Sequence, residues 1–119
     1  MDILIVDDSE KIRTSLRTWL ESVFPRYLIE DAETGEEAIF RVLAGCPKFV
    51  LMDIGLPGIN GIEATRRIKA VAPEVKVIIL TIREGAQYEA FAAIAGASAY
   101  VSKRRMHREL IPILTNLPK

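Results

Sequence analysis

Five short apolar runs, Ile3-Leu4-Ile5-Val6, Tyr27-Leu28-Ile29, Phe49-Val50-Leu51-Met52, Val75 to Leu80 and Ala99-Tyr100-Val101, constrain this chain more than any other feature. They are brief, rich in β-branched or aromatic residues, and mostly lack the polar alternation of a half-exposed strand. Strands buried on both faces read this way, and such strands belong to parallel sheets covered by helices. The segments between them carry helical spacing. In the first, Ile12, Leu16, Trp19, Leu20 and Val23 recur at intervals of three and four, which predicts a helix with Arg13 and Arg17 on its outer side. The second opens at Thr34-Gly35-Glu36-Glu37, a capping box. The third, Ile62 to Val71, follows Asn60 as N-cap and stops before Pro73. The fourth covers about Glu84 to Ala95 and ends at Gly96; the last runs from about Arg105 to Leu117, with Pro112 as a kink or early end. Strand and helix alternate five times. The fold class is α/β, a doubly wound parallel sheet with helices on both faces.

With 119 residues the chain fits one compact domain. Sixteen Lys and Arg against sixteen Asp and Glu leave no formal net charge, which argues against a nucleic-acid coat or a polybasic membrane binder. One cysteine, Cys46, allows no intrachain disulfide and no Cys-based zinc site. One histidine, His107, excludes His-cluster metal sites. No segment reaches the roughly 18 apolar residues of a membrane span, and Met1-Asp2-Ile3 runs straight into folded-looking sequence. The expectation is a small, reduced domain of the cytoplasm.

Doubly wound sheets bind ligands outside the carboxyl ends of their strands, at the topological switch point. The first strand ends in Asp7-Asp8, the third in Asp53 and the fourth in Thr81, while Lys103 follows the fifth. Any one of these alone reads as a turn former, a cap or a solvated charge. Together they place three carboxylates, a hydroxyl and an ammonium at one edge. Converging carboxylates repel and need a cation, and Mg²⁺ suits hard oxygen ligands with a phosphate oxygen completing the set. Three negative charges against Mg²⁺ and Lys103 leave a compensated site for a phosphoryl group, the inventory of phosphoryl transfer. No Gly-rich Walker loop supports nucleotide binding.

These residues resemble the receiver domain of bacterial two-component response regulators over essentially the whole chain. The resemblance rests on Asp7-Asp8, on Asp53-Ile54-Gly55-Leu56-Pro57-Gly58-Ile59-Asn60-Gly61, and on Thr81, Tyr100 and Lys103 in order. The text from Asp53 to Ile68 is most similar to receivers joined to a LuxR-type helix-turn-helix domain. The resemblance implies a flavodoxin-like (βα)5 fold of strand order 2-1-3-4-5, with residues 1–119 forming one receiver and no effector domain within them. It implies that Asp53 accepts a phosphoryl group from a sensor kinase's phosphohistidine. Asp8, Asp53 and the Gly55 carbonyl would hold Mg²⁺, and Asp7 would act largely through water. Thr81 and Lys103 would bind phosphoryl oxygens, Thr81 and Tyr100 would form the switch, and the protein would assist its own phosphorylation without being an enzyme. The implied partners are a sensor histidine kinase and, at the face of the fourth helix, fifth strand and fifth helix, an effector domain or second receiver; neither nucleic acid nor membrane is contacted.

Two positions depart from that pattern. Arg104 stands where proline usually follows the lysine, so a trans peptide is predicted there, since a non-proline cis bond costs about 2.5–4 kcal/mol. Ile82 stands where a small residue usually follows the threonine, and as a stiff β-branched side chain it is an access gate over Asp53 or, alternatively, packing under the fourth helix. Elsewhere the plain readings hold: Trp19 as core, Cys46 as a buried or half-buried filler before Pro47, His107 facing solvent or a partner, and Lys103-Arg104-Arg105 with Arg108 as a solvated helix start. Two other functions compete. An aspartyl-nucleophile phosphatase would place Asp-x-Asp after the first strand, and a phosphorylation-independent docking module would keep the fold alone.

Overall fold

The computed structural model describes residues 1–83 and 85–117. Five strands, β1 (Ile3–Val6), β2 (Ile29–Ala32), β3 (Phe49–Met52), β4 (Lys76–Thr81) and β5 (Ala99–Ser102), alternate with five helices. These are α1 (Glu10–Val23), α2 (Gly35–Gly45), α3 (Gly61–Val71), α4 (Ala86–Ala95) and α5 (Met106–Asn116). All strand pairs are parallel, in the order β2-β1-β3-β4-β5. The predicted doubly wound sheet and its strand order are what the chain adopts.

Alternation along each strand divides the core in two. Leu4, Val6, Val50, Met52, Val77 and Ile79 meet the buried sides of α2, α3 and α4. Ile3, Ile5, Leu51, Ile78, Leu80 and Val101 meet Leu16 and Leu20 of α1 and Leu110 and Leu114 of α5. Because β1 lies between β2 and β3, the chain leaves it on one face and β2 on the other. The resulting crevice is the switch point, where open α/β sheets hold ligands.

Side-chain caps start three helices. Ser9 accepts from the Ile12 amide at 3.3 Å, Thr34 from Glu37 at 3.0 Å, and Asn60 from Glu63 at 2.9 Å. The Glu37 carboxylate reaches one residue further back than a standard capping box, accepting from the Glu33 amide at 2.9 Å. Gly96, at φ 107°, ends α4 as predicted.

Several expectations require correction. The second strand is Ile29–Ala32 rather than Tyr27–Ile29. As an edge strand it is buried only at its two ends, with Glu30 exposed, so no apolar run marks it. Arg13 is not on the outer side of α1; it is buried beside Leu16 and Leu20. Val23 is exposed, and Trp19 is half-buried with its ring centroid 4.9 Å from that of exposed His107. Cys46 is exposed, at φ 35° in the left-handed turn that closes α2, and the neighbouring Pro47 is buried instead. Helix α5 continues through Pro112 to Asn116. Glu84, the predicted start of the fourth helix, lies outside the described residues.

Candidate functional site

The sheet register sets the site. Val6 pairs with Met52 and Met52 with Ile79, so Asp7 and Asp53 leave adjacent strands at one level. Thr81 pairs with Ser102, which places Lys103 at the same edge. Main-chain bonds continue the ladder past the strand ends: Asp53 N donates to the Val6 carbonyl at 3.0 Å, and Lys103 N to the Thr81 carbonyl at 2.9 Å.

Asp7, Asp8 and Asp53 come together, each offering a carboxylate oxygen within 4.8 Å of the others. Asp7 is buried, Asp53 is 9 % exposed, and Asp8 faces solvent. The open cleft they border measures about 540 Å³ and is also lined by Ser9, Gly55, Thr81, Ile82, Arg83 and Lys103. Every residue that sequence reasoning assigned to the phosphoryl and metal site therefore lies at this cleft. Such a group of hard oxygen donors, graded from buried to exposed, fits a Mg²⁺ ion that keeps part of its water shell.

Lys103 spans the carboxylates, with Nζ 2.6 Å from Asp7 Oδ2 and 3.6 Å from Asp53 Oδ2. No cis peptide occurs among the described residues, in keeping with Arg104 in place of proline. Lys103 reaches the cleft without one. Arg104, Arg105 and Arg108 are exposed, as a solvated helix start requires.

Burial pushes the Asp53 carboxyl above the ordinary aspartate range; Lys103 opposes the shift, the Asp7 charge adds to it, and hydrogen bonds from Thr81 and the Gly55 amide lower it. A carboxylate so placed is desolvated yet partly compensated. Gly61 supports it from below. A Cβ there would lie 2.0 Å from the Asp53 carbonyl oxygen, so only glycine allows α3 to begin so close to the strand end.

Thr81 is fully buried, and its Oγ1 also accepts from the Arg83 amide at 3.2 Å. The Tyr100 hydroxyl donates to the Arg83 carbonyl at 2.6 Å. One loop thus links the two expected switch residues. Ile82 is 74 % exposed at the cleft mouth, which excludes the alternative that it packs under α4.

Three contributors escaped the sequence reading. Ser9 donates its amide to Asp7 Oδ1 at 2.9 Å, a local turn bond that an Asp-x-Ser step could have suggested. Arg83 lies with its guanidinium over Gly55, and no pattern marks it. Arg13 donates through Nη1 to the Asp7 carbonyl at 2.6 Å; its phase with Leu16 and Leu20 was the available signal.

An acidic cleft bridged by a lysine at the switch point of a doubly wound α/β domain has the donor set of a phosphoryl-receiving site. The chain belongs to the response regulator receiver domain family, whose model matches residues 3–115. It is 34% identical over 117 residues to the response regulator UvrY of Escherichia coli O6:H1, covering 98% of this chain and 54% of that protein. It is 33% identical over 109 residues to the response regulator GacA of Pseudomonas protegens, covering 92% and 51%. Among solved structures, a LuxR-family two-component response regulator from Aurantimonas sp. SI85-9A1 superposes with a TM-score of 0.86 at 32% identity, over 96% of this chain and 81% of that one. A CheY-like receiver domain protein from Methanospirillum hungatei JF-1 gives 0.88 at 32% identity, over 96% and 90%. The chain spans about half the length of the curated relatives it matches. Among the described residues, no helix is long and apolar enough to cross a membrane.

Proposed function

We propose that Asp53 is the phosphoacceptor of a Mg²⁺-dependent phosphorelay switch, charged by a sensor kinase's phosphohistidine and controlling a transcriptional output in the cytoplasm. The observation that carries this reading is the convergence of Asp7, Asp8 and Asp53 within 4.8 Å, with Lys103 between Asp7 and Asp53. Asp8, Asp53 and the Gly55 carbonyl would hold the ion, with Asp7 acting through water. When bound, Mg²⁺ supplies positive charge against the phosphoryl oxygens and the carboxylates.

The chain's own groups perform the transfer. A carboxylate oxygen of Asp53 bonds to phosphorus as the donor's phosphorus–nitrogen bond breaks, and the imidazole nitrogen leaves with the electron pair. Lys103 moves from Asp7 toward a phosphoryl oxygen, and the Thr81 hydroxyl donates to another. No proton needs to leave the nucleophile, because Asp53 reacts as a carboxylate. Positioning and charge compensation do the catalysis, so the chain assists its own phosphorylation and dephosphorylation while acting as a switch rather than an enzyme.

Thr81 cannot turn inward without releasing the Arg83 amide it now accepts. The loop that carries the Arg83 carbonyl then shifts, and with it the partner of the Tyr100 hydroxyl. Rotation of Tyr100 reshapes the surface of α4, β5 and α5, where a kinase, an effector domain or a second receiver docks. Phosphorylation shifts a two-state population, so some output is expected without it. The chain contacts neither nucleic acid nor membrane itself; a LuxR-type effector would read DNA.

Radiolabelling by a phosphorylated kinase in Mg²⁺ and in EDTA tests the proposal. Label is expected only with Mg²⁺ and not on Asp53→Asn. Equal labelling in EDTA, or undiminished labelling of Asp53→Asn, would overturn it.

A further inference from the structure

Among the described residues, Arg13 is the only cation that is buried, and it touches none of the three carboxylates of the cleft. Its fork instead divides between two other acceptors. Nη1 donates to the main-chain carbonyl of Asp7 at 2.6 Å, and Nε donates to Asp31 Oδ2 at 3.1 Å. The other Asp31 oxygen pairs with Arg17 Nη2 at 3.2 Å, and Arg17 also donates to the Ile29 carbonyl. Asp31 thus aims a buried guanidinium at the peptide unit joining Asp7 to Asp8. That peptide leads directly to the exposed carboxylate of the acidic pair. From its other side the Asp7 amide donates to the Ala32 carbonyl of β2 at 3.2 Å. The turn that carries both acidic residues is therefore held at a backbone carbonyl, by a charge outside the cleft.

Resting on the proposed Mg²⁺ site, we infer that Arg13 is a positioning residue for that site: it fixes the Asp7–Asp8 peptide so that both carboxylates stay directed into the cleft. The chemistry suits the task. A planar, permanently charged guanidinium can serve a carbonyl and a carboxylate at once, whereas a lysine ammonium offers only a point charge. A charged donor to a main-chain carbonyl also restrains the turn without consuming the lone pairs of Asp7 or Asp8 that a cation needs. Ser9 and Lys103 already occupy the two Asp7 carboxylate oxygens, so Arg13 adds restraint where those contacts cannot. The edge strand β2, far from the phosphoacceptor in sequence, becomes part of the metal site through Asp31.

Groups that orient metal ligands from outside the coordination shell characteristically govern affinity by about 10–100-fold. Calorimetric titration of Mg²⁺ into the folded chain, with melting temperatures recorded alongside, separates positioning from mere support. Arg13→Lys and Arg13→Gln are expected to weaken Mg²⁺ binding roughly 10–100-fold, Asp31→Ala by less. Arg17→Ala serves as control, since it removes contacts to Asp31 and Ile29 but none to Asp7. It is expected to keep the parent affinity even where it lowers the melting temperature. In labelling assays the Arg13 variants need more Mg²⁺ for half-maximal rate, while the rate at saturating Mg²⁺ falls less. Parent-like affinity in a folded Arg13→Lys or Arg13→Gln protein would overturn the inference and leave the site's reading intact. Failure of the unaltered chain to bind Mg²⁺ would overturn both.

Discussion

A methyl group at position 61 tests the close approach on which the placement of Asp53 depends. The Cβ of Gly61→Ala would meet the Asp53 carbonyl oxygen at 2.0 Å and the Ile54 Cα at 3.0 Å, and both obstacles are backbone. Real Cβ contacts essentially never fall below 3.0 Å, so the start of α3 or the end of β3 must move by about 1 Å. Overpacking of this kind costs about 1–3 kcal/mol, toward the upper end where nothing flexible can yield. The Gly61 amide also donates to the Ile54 carbonyl at 3.0 Å, a bond worth about 1 kcal/mol that the same displacement weakens. Alanine returns less than about 1 kcal/mol in helix propensity at this first position. The net loss is about 3 kcal/mol. With an unfolding entropy near 2.1 cal/mol/K per residue, that is a fall of about 12 °C in melting temperature. Displacing Asp53, the proposed nucleophile, by about 1 Å should also slow labelling roughly a hundredfold.

Gly45→Ala is the matched control. Its Cβ meets only the Met1 methyl at 3.1 Å, the far end of a flexible side chain, at an exposed helical position. It should be neutral or raise the melting temperature by up to about 4 °C through helix propensity. Calorimetry of both variants, with labelling rates, checks the contrast. A Gly61→Ala protein that melts within about 3 °C of its parent and labels normally would show that α3 can begin there without the close approach.

Three further outcomes are expected. Burial raises the Asp53 carboxyl in the folded chain, against the opposition of Lys103 and with the Asp7 charge adding to it. Such a group weakens the fold at pH values above its folded pKa and no longer does so once pH falls below its unfolded value near 4. Asp53→Asn should therefore melt higher than the parent at about pH 7 in metal-free buffer, with the gain fading on acidification; a lower melting temperature at pH 7 would contradict this. Ile82→Ala should leave stability within about 0.5 kcal/mol, because the side chain is exposed, yet speed both labelling by acetyl phosphate and loss of the phosphoryl group several-fold. Unchanged rates in the folded variant would remove the gate. Nuclear magnetic resonance of Tyr100 should change when beryllofluoride and Mg²⁺ are added, and identical spectra would count against the Thr81–Tyr100 switch.

What could be read from the residues followed burial. Strands β1 and β3 are buried along their whole length, so their composition marked them to the residue. Strand β2 sits at the sheet edge, where Glu30 and Asp31 interrupt any apolar run, and its position emerges only when β1 supplies the register. Asp7, Asp53, Thr81 and Lys103 were legible because strand ends of a doubly wound sheet share one edge. Arg13 is not, because a charge inside a helical repeat reads as facing solvent. Its burial depends on Asp31, 18 residues away, and on the Asp7 carbonyl, neither of which leaves a local trace. Cys46 shows a similar limit. A left-handed residue at the end of α2 turns the thiol outward, and burial passes to Pro47. Arg83 was missed because loop residues over a cleft obey no period.

Locating the phosphoryl group on the chain decides whether Asp53 is the acceptor. The chain, incubated with Mg²⁺ and a phosphorylated kinase, would be treated with borohydride to trap the acyl phosphate and then mapped by tandem mass spectrometry. One modification is expected, at Asp53 and at no other residue. A modification at another residue, or donor hydrolysis with Asp53 never modified, would contradict it.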